Sequence, residues 1–214
     1  GENPAAKVRL YPEKSRETFL SPAQLRALFA AIASLEEAHR LWRSAVEAEQ
    51  ATGKEPRGLD PFVAGLFKLL VFTGARLGEW QQCRWEWVDL EAGVVNLPDS
   101  KTGAKKIWLN QEATDVLTEL LRIRNRHTPW VIAGRRPGAK LTDAHGAWER
   151  VREKAAELLL EAERKRLAEE GKDPEAILPA VRKSAEVLLQ LRIHDLRHTY
   201  ASMGASDGHS LALV

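Results

Sequence analysis

His194 and Arg197 stand three positions apart, so they share one face if their segment is helical. An imidazole beside a guanidinium suits a phosphodiester. The guanidinium forks onto non-bridging oxygens, and the imidazole adds a hydrogen bond or moves a proton. A second arginine, Arg76, lies far upstream in Thr73-Gly-Ala-Arg-Leu-Gly-Glu79, and Lys101 lies between them in Asp99-Ser-Lys-Thr-Gly103. A lysine on a flexible stem can hand a proton to a leaving oxygen. These four positions can act together only if the fold gathers them.

The elements that must do so are visible as patterns. Ser21-Pro-Ala-Gln24 is a helix start, with Ser21 as cap, Pro22 in the first turn and Gln24 closing a capping box. Leu25, Leu28, Phe29 and Ile32 follow at helical spacing, and a more polar helical pattern runs from Leu35 to Glu49. Asp60-Pro61 opens a second helix that is apolar nearly all round from Phe62 to Phe72, which predicts burial. Gly74 is placed to end it in a left-handed conformation. Arg76 would then sit just past a rigid buried element, with a short helix from Leu77 to Gln82. Residues 88–97 read as a turn and a strand, and Lys105 to Leu109 as its partner, so Lys101 falls in a hairpin loop. Asn110 caps a further helix, and Trp130-Val-Ile-Ala133 reads as a third strand. A long helix begins at Thr142 or Asp143, Gly171-Lys-Asp-Pro174 breaks it, and another runs to about Gln190. The Ala/Leu/Glu/Arg-rich stretch from about 157 to 187 reads as an inserted helical hairpin, because it exceeds a short connection.

Bulk properties narrow the classes. A chain of 214 residues with 44% hydrophobic and 29% charged residues suits one soluble domain. The net charge is only +2, yet basic residues cluster at 101–106 and 122–136. One cysteine, Cys83, permits no internal disulfide and suits a reducing, cytoplasmic setting. No apolar run approaches the roughly 18 residues of a membrane span, so no membrane association is expected. Scattered histidines and a lone cysteine give no zinc-ligand spacing, and there is no phosphate-cradling glycine loop. No metal or other cofactor is therefore expected.

The run His194-Asp-Leu-Arg-His-Thr-Tyr-Ala-Ser202, with Thr73-Gly-Ala-Arg-Leu-Gly-Glu79 and Lys101, resembles the tyrosine recombinases of the phage integrase family. The likeness extends from about Val8 onward. It implies a mainly α fold with a small three-stranded antiparallel sheet, that family's DNA breaking-rejoining catalytic domain. It implies double-stranded DNA as partner, in a bacterial or phage setting on the nucleoid. DNA would be cut and rejoined through a 3′-phosphotyrosyl link without metal or nucleotide. Arg76, Lys101, His194 and Arg197 take the catalytic places, Lys101 as general acid. Glu79 and His198 support them. Glu79 orients a neighbour or caps the turn, the competing reading being a plain ion pair with Arg76. Lys105 and Lys106 are candidate DNA contacts.

The same resemblance gives an organisation of residues 1–20 as an extended leading segment and 21–214 as the catalytic domain. A separate N-terminal core-binding domain and the C-terminal segment with the nucleophilic tyrosine are expected to lie outside this chain. Tyr200 corresponds to an aromatic packing position of the motif. The expectation is a fragment, monomeric by itself and tetrameric on DNA when whole, that binds DNA without cleaving it. Two alternatives stay open: a type IB topoisomerase-like enzyme that relaxes supercoils, and a non-catalytic DNA-binding relative.

Overall fold

The computed structural model describes residues 19–52, 58–99, 103–171 and 174–206, with side chains described throughout these ranges except at 174–178 and 202–206. Lys101 and nearly all of the leading segment 1–20 lie outside the described residues. Seven α-helices and one small sheet dominate the described fold. The first helix, α1 (Pro22–Glu47), unites the two helical patterns into one element. Its capping box is formed: the Ser21 backbone N–H donates to Gln24 Oε1 at 2.8 Å, and the Gln24 N–H donates to Ser21 Oγ at 3.3 Å.

α2 (Pro61–Thr73) is the central post, with Ala64, Leu66, Phe67, Leu69, Leu70 and Val71 all buried. Asp60 caps it by accepting from the Phe62 N–H at 2.9 Å. Burying each of its large apolar side chains contributes about 2 kcal/mol, which outweighs the weak helix propensity of valine and phenylalanine there. Packed around it are α3 (Leu77–Gln81), α4 (Gln111–Ile123), α7 (Asp195–Ser206) and α1. Gly65 permits the close approach of α4, since a Cβ there would stand 2.8 Å from Leu120 Cδ1.

The long helices α5 (His145–Glu169) and α6 (Pro174–Gln190) pack on each other and against α1. Buried Gln24 ties α1 to α6, its Nε2 donating to the Ser184 carbonyl at 2.9 Å and to Ser184 Oγ at 3.2 Å. Trp148 joins this layer to the post, its ring 5.0 Å from that of Phe67.

The sheet is antiparallel with order β1-β2-β3: β1 (Val88–Asp89), β2 (Val94–Leu97) and β3 (Lys105–Trp108). Its third strand differs from the expected one. Trp130 to Ala133 makes only isolated bridges, Arg84 with Trp130 and Ala133 with Lys140. β1 completes the sheet instead. Asp89 Oδ1 accepts the Ala92 N–H at 2.9 Å and Gly93 takes φ 63°, which turns the chain back after only two strand residues. That tight turn leaves too short a strand for alternation to announce. Among the described residues, no helix is long and apolar enough to cross a membrane.

Candidate active site

Arg76 is mounted by the α2–α3 corner. The Thr73 hydroxyl donates to the Leu69 carbonyl at 2.6 Å and accepts the Trp80 indole N–H at 3.1 Å, which locks the end of α2 to α3. Trp80 is fully buried. Gly74 turns the chain at φ 60°, ψ 13°, a left-handed conformation that costs other residues roughly 1 kcal/mol. Arg76 is then the N-terminal cap residue of α3.

Glu79, with a side chain only 7% exposed, fixes that corner. Its Oε2 accepts the Arg76 backbone N–H at 2.8 Å and its Oε1 accepts from the Arg76 guanidinium at 3.1 Å. Both expected roles of Glu79 are therefore present together, the cap and the ion pair. A third contact comes from the sheet: Lys105 Nζ donates to Oε2 at 2.9 Å and to Oε1 at 3.1 Å. Burial works to raise the Glu79 pKa. The Arg76 backbone N–H, the hydrogen bond and charge of Lys105, and the Arg76 side chain outweigh it, so the carboxyl lies below its ordinary range.

Lys105 and Lys106 thus part company. Expected together as DNA contacts, they point to opposite faces of β3, as strand alternation requires. Lys105 turns inward to Glu79. Lys106 is exposed beside Trp108, its Nζ 5.9 Å from that ring, and Trp108 is 60% exposed. Sequence reasoning missed Lys105 as the second cation of Glu79. The i, i+3 spacing of Arg76 and Glu79 is a signal for one pair, but nothing local links Glu79 to a residue 26 positions away.

The second motif opens α7. Asp195 Oδ2 accepts the Arg192 backbone N–H at 2.9 Å, so it caps the turn as Glu79 caps α3. Arg197 Nη1 donates to the Gly74 carbonyl at 2.7 Å. Tyr200 packs at the same place: a Cβ on Gly74 would stand 2.3 Å from Tyr200 Cδ1. Arg197 and Tyr200, three apart on α7, therefore both rest on the corner that carries Arg76. His194 is exposed, and its ring meets that of His198 edge-on, 5.6 Å between centroids.

The approach to His194 is held from α5. The Trp148 indole N–H donates to the Leu191 carbonyl at 2.8 Å, and Arg152 Nη1 donates to the carbonyls of Leu189 at 2.6 Å and Leu191 at 3.3 Å. This clamp is not legible in the sequence, where Trp148 shows only as one member of a core stripe. A cavity of about 450 Å3 opens between the starts of α3, α5 and α7, with Ala75, Leu77, His194 and Arg197 in its wall. Of the four expected catalytic residues, His194 and Arg197 line this cavity, Arg76 stands between its wall residues Ala75 and Leu77 with its guanidinium on Glu79, and Lys101 lies outside the described residues. Among the described residues no group of three His, Cys, Asp or Glu side chains is placed to hold a metal ion.

Similarity to known proteins decides the family. The sequence profile of the phage integrase family matches residues 19–214. This chain belongs to the phage integrase family. Its sequence is 31% identical over 71 residues to the prophage integrase IntZ of Escherichia coli, a match covering 32% of this chain and 17% of that protein. It is 32% identical over 74 residues to the prophage integrase IntR of the same organism, covering 29% and 18%. Among solved structures it is similar to the XerA recombinase, with a TM-score of 0.56 at 16% identity over 92% of this chain and 53% of that one. It is also similar to the Tn1549 transposon integrase in complex with transposon right end DNA, with a TM-score of 0.52 at 17% identity over 94% and 57%. The chain thus spans about half the length of these solved relatives, whose likeness at such identity establishes the fold. The mainly α catalytic-domain fold with its small antiparallel sheet is that of the tyrosine recombinases.

Proposed function

We propose that this phage integrase family chain is the catalytic domain of a site-specific DNA recombinase. It would hold one phosphodiester of duplex DNA between Arg76, His194 and Arg197. The observation that carries this reading is the 2.7 Å hydrogen bond from Arg197 to the Gly74 carbonyl, which ties the second arginine to the corner that mounts the first. Two guanidiniums on one corner suit a phosphorane, whose oxygens gather charge as the nucleophile attacks. His194 supports the same oxygens or moves a proton, Glu79 and His198 support the arrangement, and Lys101 protonates the leaving 5′ oxygen. The DNA-bound state of the Tn1549 integrase is in keeping with a duplex partner here.

Neither of the chain's two tyrosines is assigned the attack. Tyr200 packs on Gly74, and Tyr11 belongs to the leading segment. The nucleophile would come from outside these residues. The attack joins tyrosine oxygen to phosphorus and releases the 5′ oxygen, which takes a proton. A 5′-hydroxyl of the partner strand then reverses the step, conserving the bond energy.

The test is direct. These 214 residues should retard duplex DNA, with affinity falling steeply between about 50 and 200 mM salt. They should leave no covalent adduct on a nicked suicide duplex under denaturing electrophoresis. Absence of salt-dependent binding sinks the reading of a DNA enzyme, and an adduct sinks the assignment of the nucleophile. In the full-length protein, loss of either Arg76 or Arg197 should cost about 3 kcal/mol of transition-state stabilisation, by analogy with lost oxyanion donors.

A further inference from the structure

The cavity beside His194 carries more positive charge than one phosphodiester needs. Its wall from α5 is a single helical stripe, His145, Trp148, Glu149 and Arg152, and Arg192, His194 and Arg197 face it. Three arginines and two histidines therefore line it with a single acid, Glu149. His194 and Arg197 have a role in the reading above, whereas Arg152, Arg192 and His145 have none.

Each of these three has capacity for an anion. Arg152 uses Nη1 on main-chain carbonyls, while its Nη2 makes no hydrogen bond among the described residues. A phosphate oxygen is the acceptor a guanidinium fits best. Arg192 is exposed; its backbone N–H and carbonyl both bond Asp195, and its guanidinium makes no hydrogen bond among the described residues. His145 has Nδ1 2.9 Å from Asp143 Oδ1, which leaves Nε2 for a ligand. Apart from Glu149, the remaining wall, Ala75, Leu77, Trp148, Leu191 and Ile193, is apolar and suits the face of a deoxyribose. A volume of about 450 Å3 exceeds what one phosphate fills.

We propose that this cavity is a second phosphate site. It takes the DNA phosphate next to the one held by His194 and Arg197, with Arg152, Arg192 and His145 as its contacts. The inference rests on the proposed DNA-binding function, and the following experiment separates the two. Binding of a labelled duplex is measured by fluorescence anisotropy across salt concentrations for the wild-type chain, Arg192→Gln, Arg152→Gln, Arg197→Gln and the Arg192→Gln/Arg197→Gln double variant.

Removing one arginine–phosphate pair should lower the slope of log K against log salt by ~0.9, so the double variant should fall by ~1.8. A double variant whose slope is no lower than that of Arg197→Gln alone overturns the proposal, because Arg192 then adds no phosphate contact. A wild-type slope in Arg192→Gln overturns it as well. Arg192 is exposed, so this variant keeps the test decisive even if Arg152→Gln, which removes hydrogen bonds to the main chain, fails to fold. If the wild-type chain itself shows no salt-dependent binding, the proposed function falls and this inference with it.

Discussion

The two arginine motifs share an acid that accepts the backbone N–H three residues before it, at the cap of α3 and in the turn that leads into α7, and they hold their arginines in different ways. At α3 an acid three residues after the cap position, Glu79, accepts the cap backbone N–H of Arg76 at 2.8 Å. At α7 an acid at the same spacing, Asp195, accepts the backbone N–H of Arg192 at 2.9 Å. Glu79 then also binds the Arg76 guanidinium and the Lys105 ammonium. Among the described residues no carboxylate holds Arg197 in this way; its guanidinium donates to the backbone carbonyl of Gly74. One arginine is set by a carboxylate with two cations, the other by a turn whose geometry only glycine supplies at low cost. Capping is thus a shared device, and what differs is the group that aims the functional side chain.

Breaking the glycine turn should have the largest effect. Gly74→Ala puts a β-carbon 2.3 Å from the Tyr200 ring at a left-handed φ of 60°. Strain and overpacking together should cost about 2–4 kcal/mol, read as a lowered midpoint in urea. DNA affinity of the surviving folded fraction should fall too, because Arg197 loses its rest. Wild-type stability in this variant would show that α7 is not seated on the corner as described.

The two acids should then separate in size of effect. Glu79→Gln removes a nearly buried charge that faces two cations, and should cost about 2 kcal/mol. Asp195→Asn keeps a capping oxygen and should cost under about 1 kcal/mol. Equal losses in thermal denaturation would mean that Lys105 and the Arg76 guanidinium contribute nothing beyond the cap.

Acid titration sharpens the same contrast. The Glu79 pKa lies below its ordinary 4.5, so the folded state binds the proton less readily than the unfolded chain. Its stabilisation is complete above the ordinary glutamate range and is lost as pH falls through the lower, folded value. Glu79→Gln should therefore flatten the acid limb of the stability curve. A variant whose acid limb superimposes on that of the wild type would contradict the direction of the shift.

The smallest effect is expected away from both motifs. Burial pushes the Cys83 thiol up to about 12, so almost none of it is thiolate at neutral pH. Iodoacetamide should label it only as fast as the chain unfolds. Rapid native labelling would show that the α3–sheet junction opens readily.

Much of this is legible because it is local. Ser21, Asp60 and Asn110 mark helix starts through side chains that reach only two or three residues ahead, and each cap is formed. Gly74 marks a stop for the same reason. The continuous apolar run from Phe62 to Phe72 could only be a buried post. The third strand is the exception. The hydrophobic run at Trp130 looks like a strand, whereas Val88–Asp89 is too short to show a period, and its pairing partner decides its conformation.

For the site, the identities of Arg76, His194 and Arg197 follow from motif and spacing, since those residue types at those intervals have a chemistry of their own. Their meeting does not. The Arg197 guanidinium reaches across 123 positions to a backbone carbonyl, an acceptor that every residue possesses and no sequence pattern can single out. Trp148 and Arg152 grip the Leu191 carbonyl in the same anonymous way. Lys105 and Lys106 are identical letters whose roles diverge because the pleat of β3 turns one toward Glu79 and the other toward solvent. Residue chemistry and short-range capping are written in the chain itself. Which groups share a cavity is decided only by packing α7 and α5 against the α2–α3 corner, where burial and backbone hydrogen bonds select one arrangement.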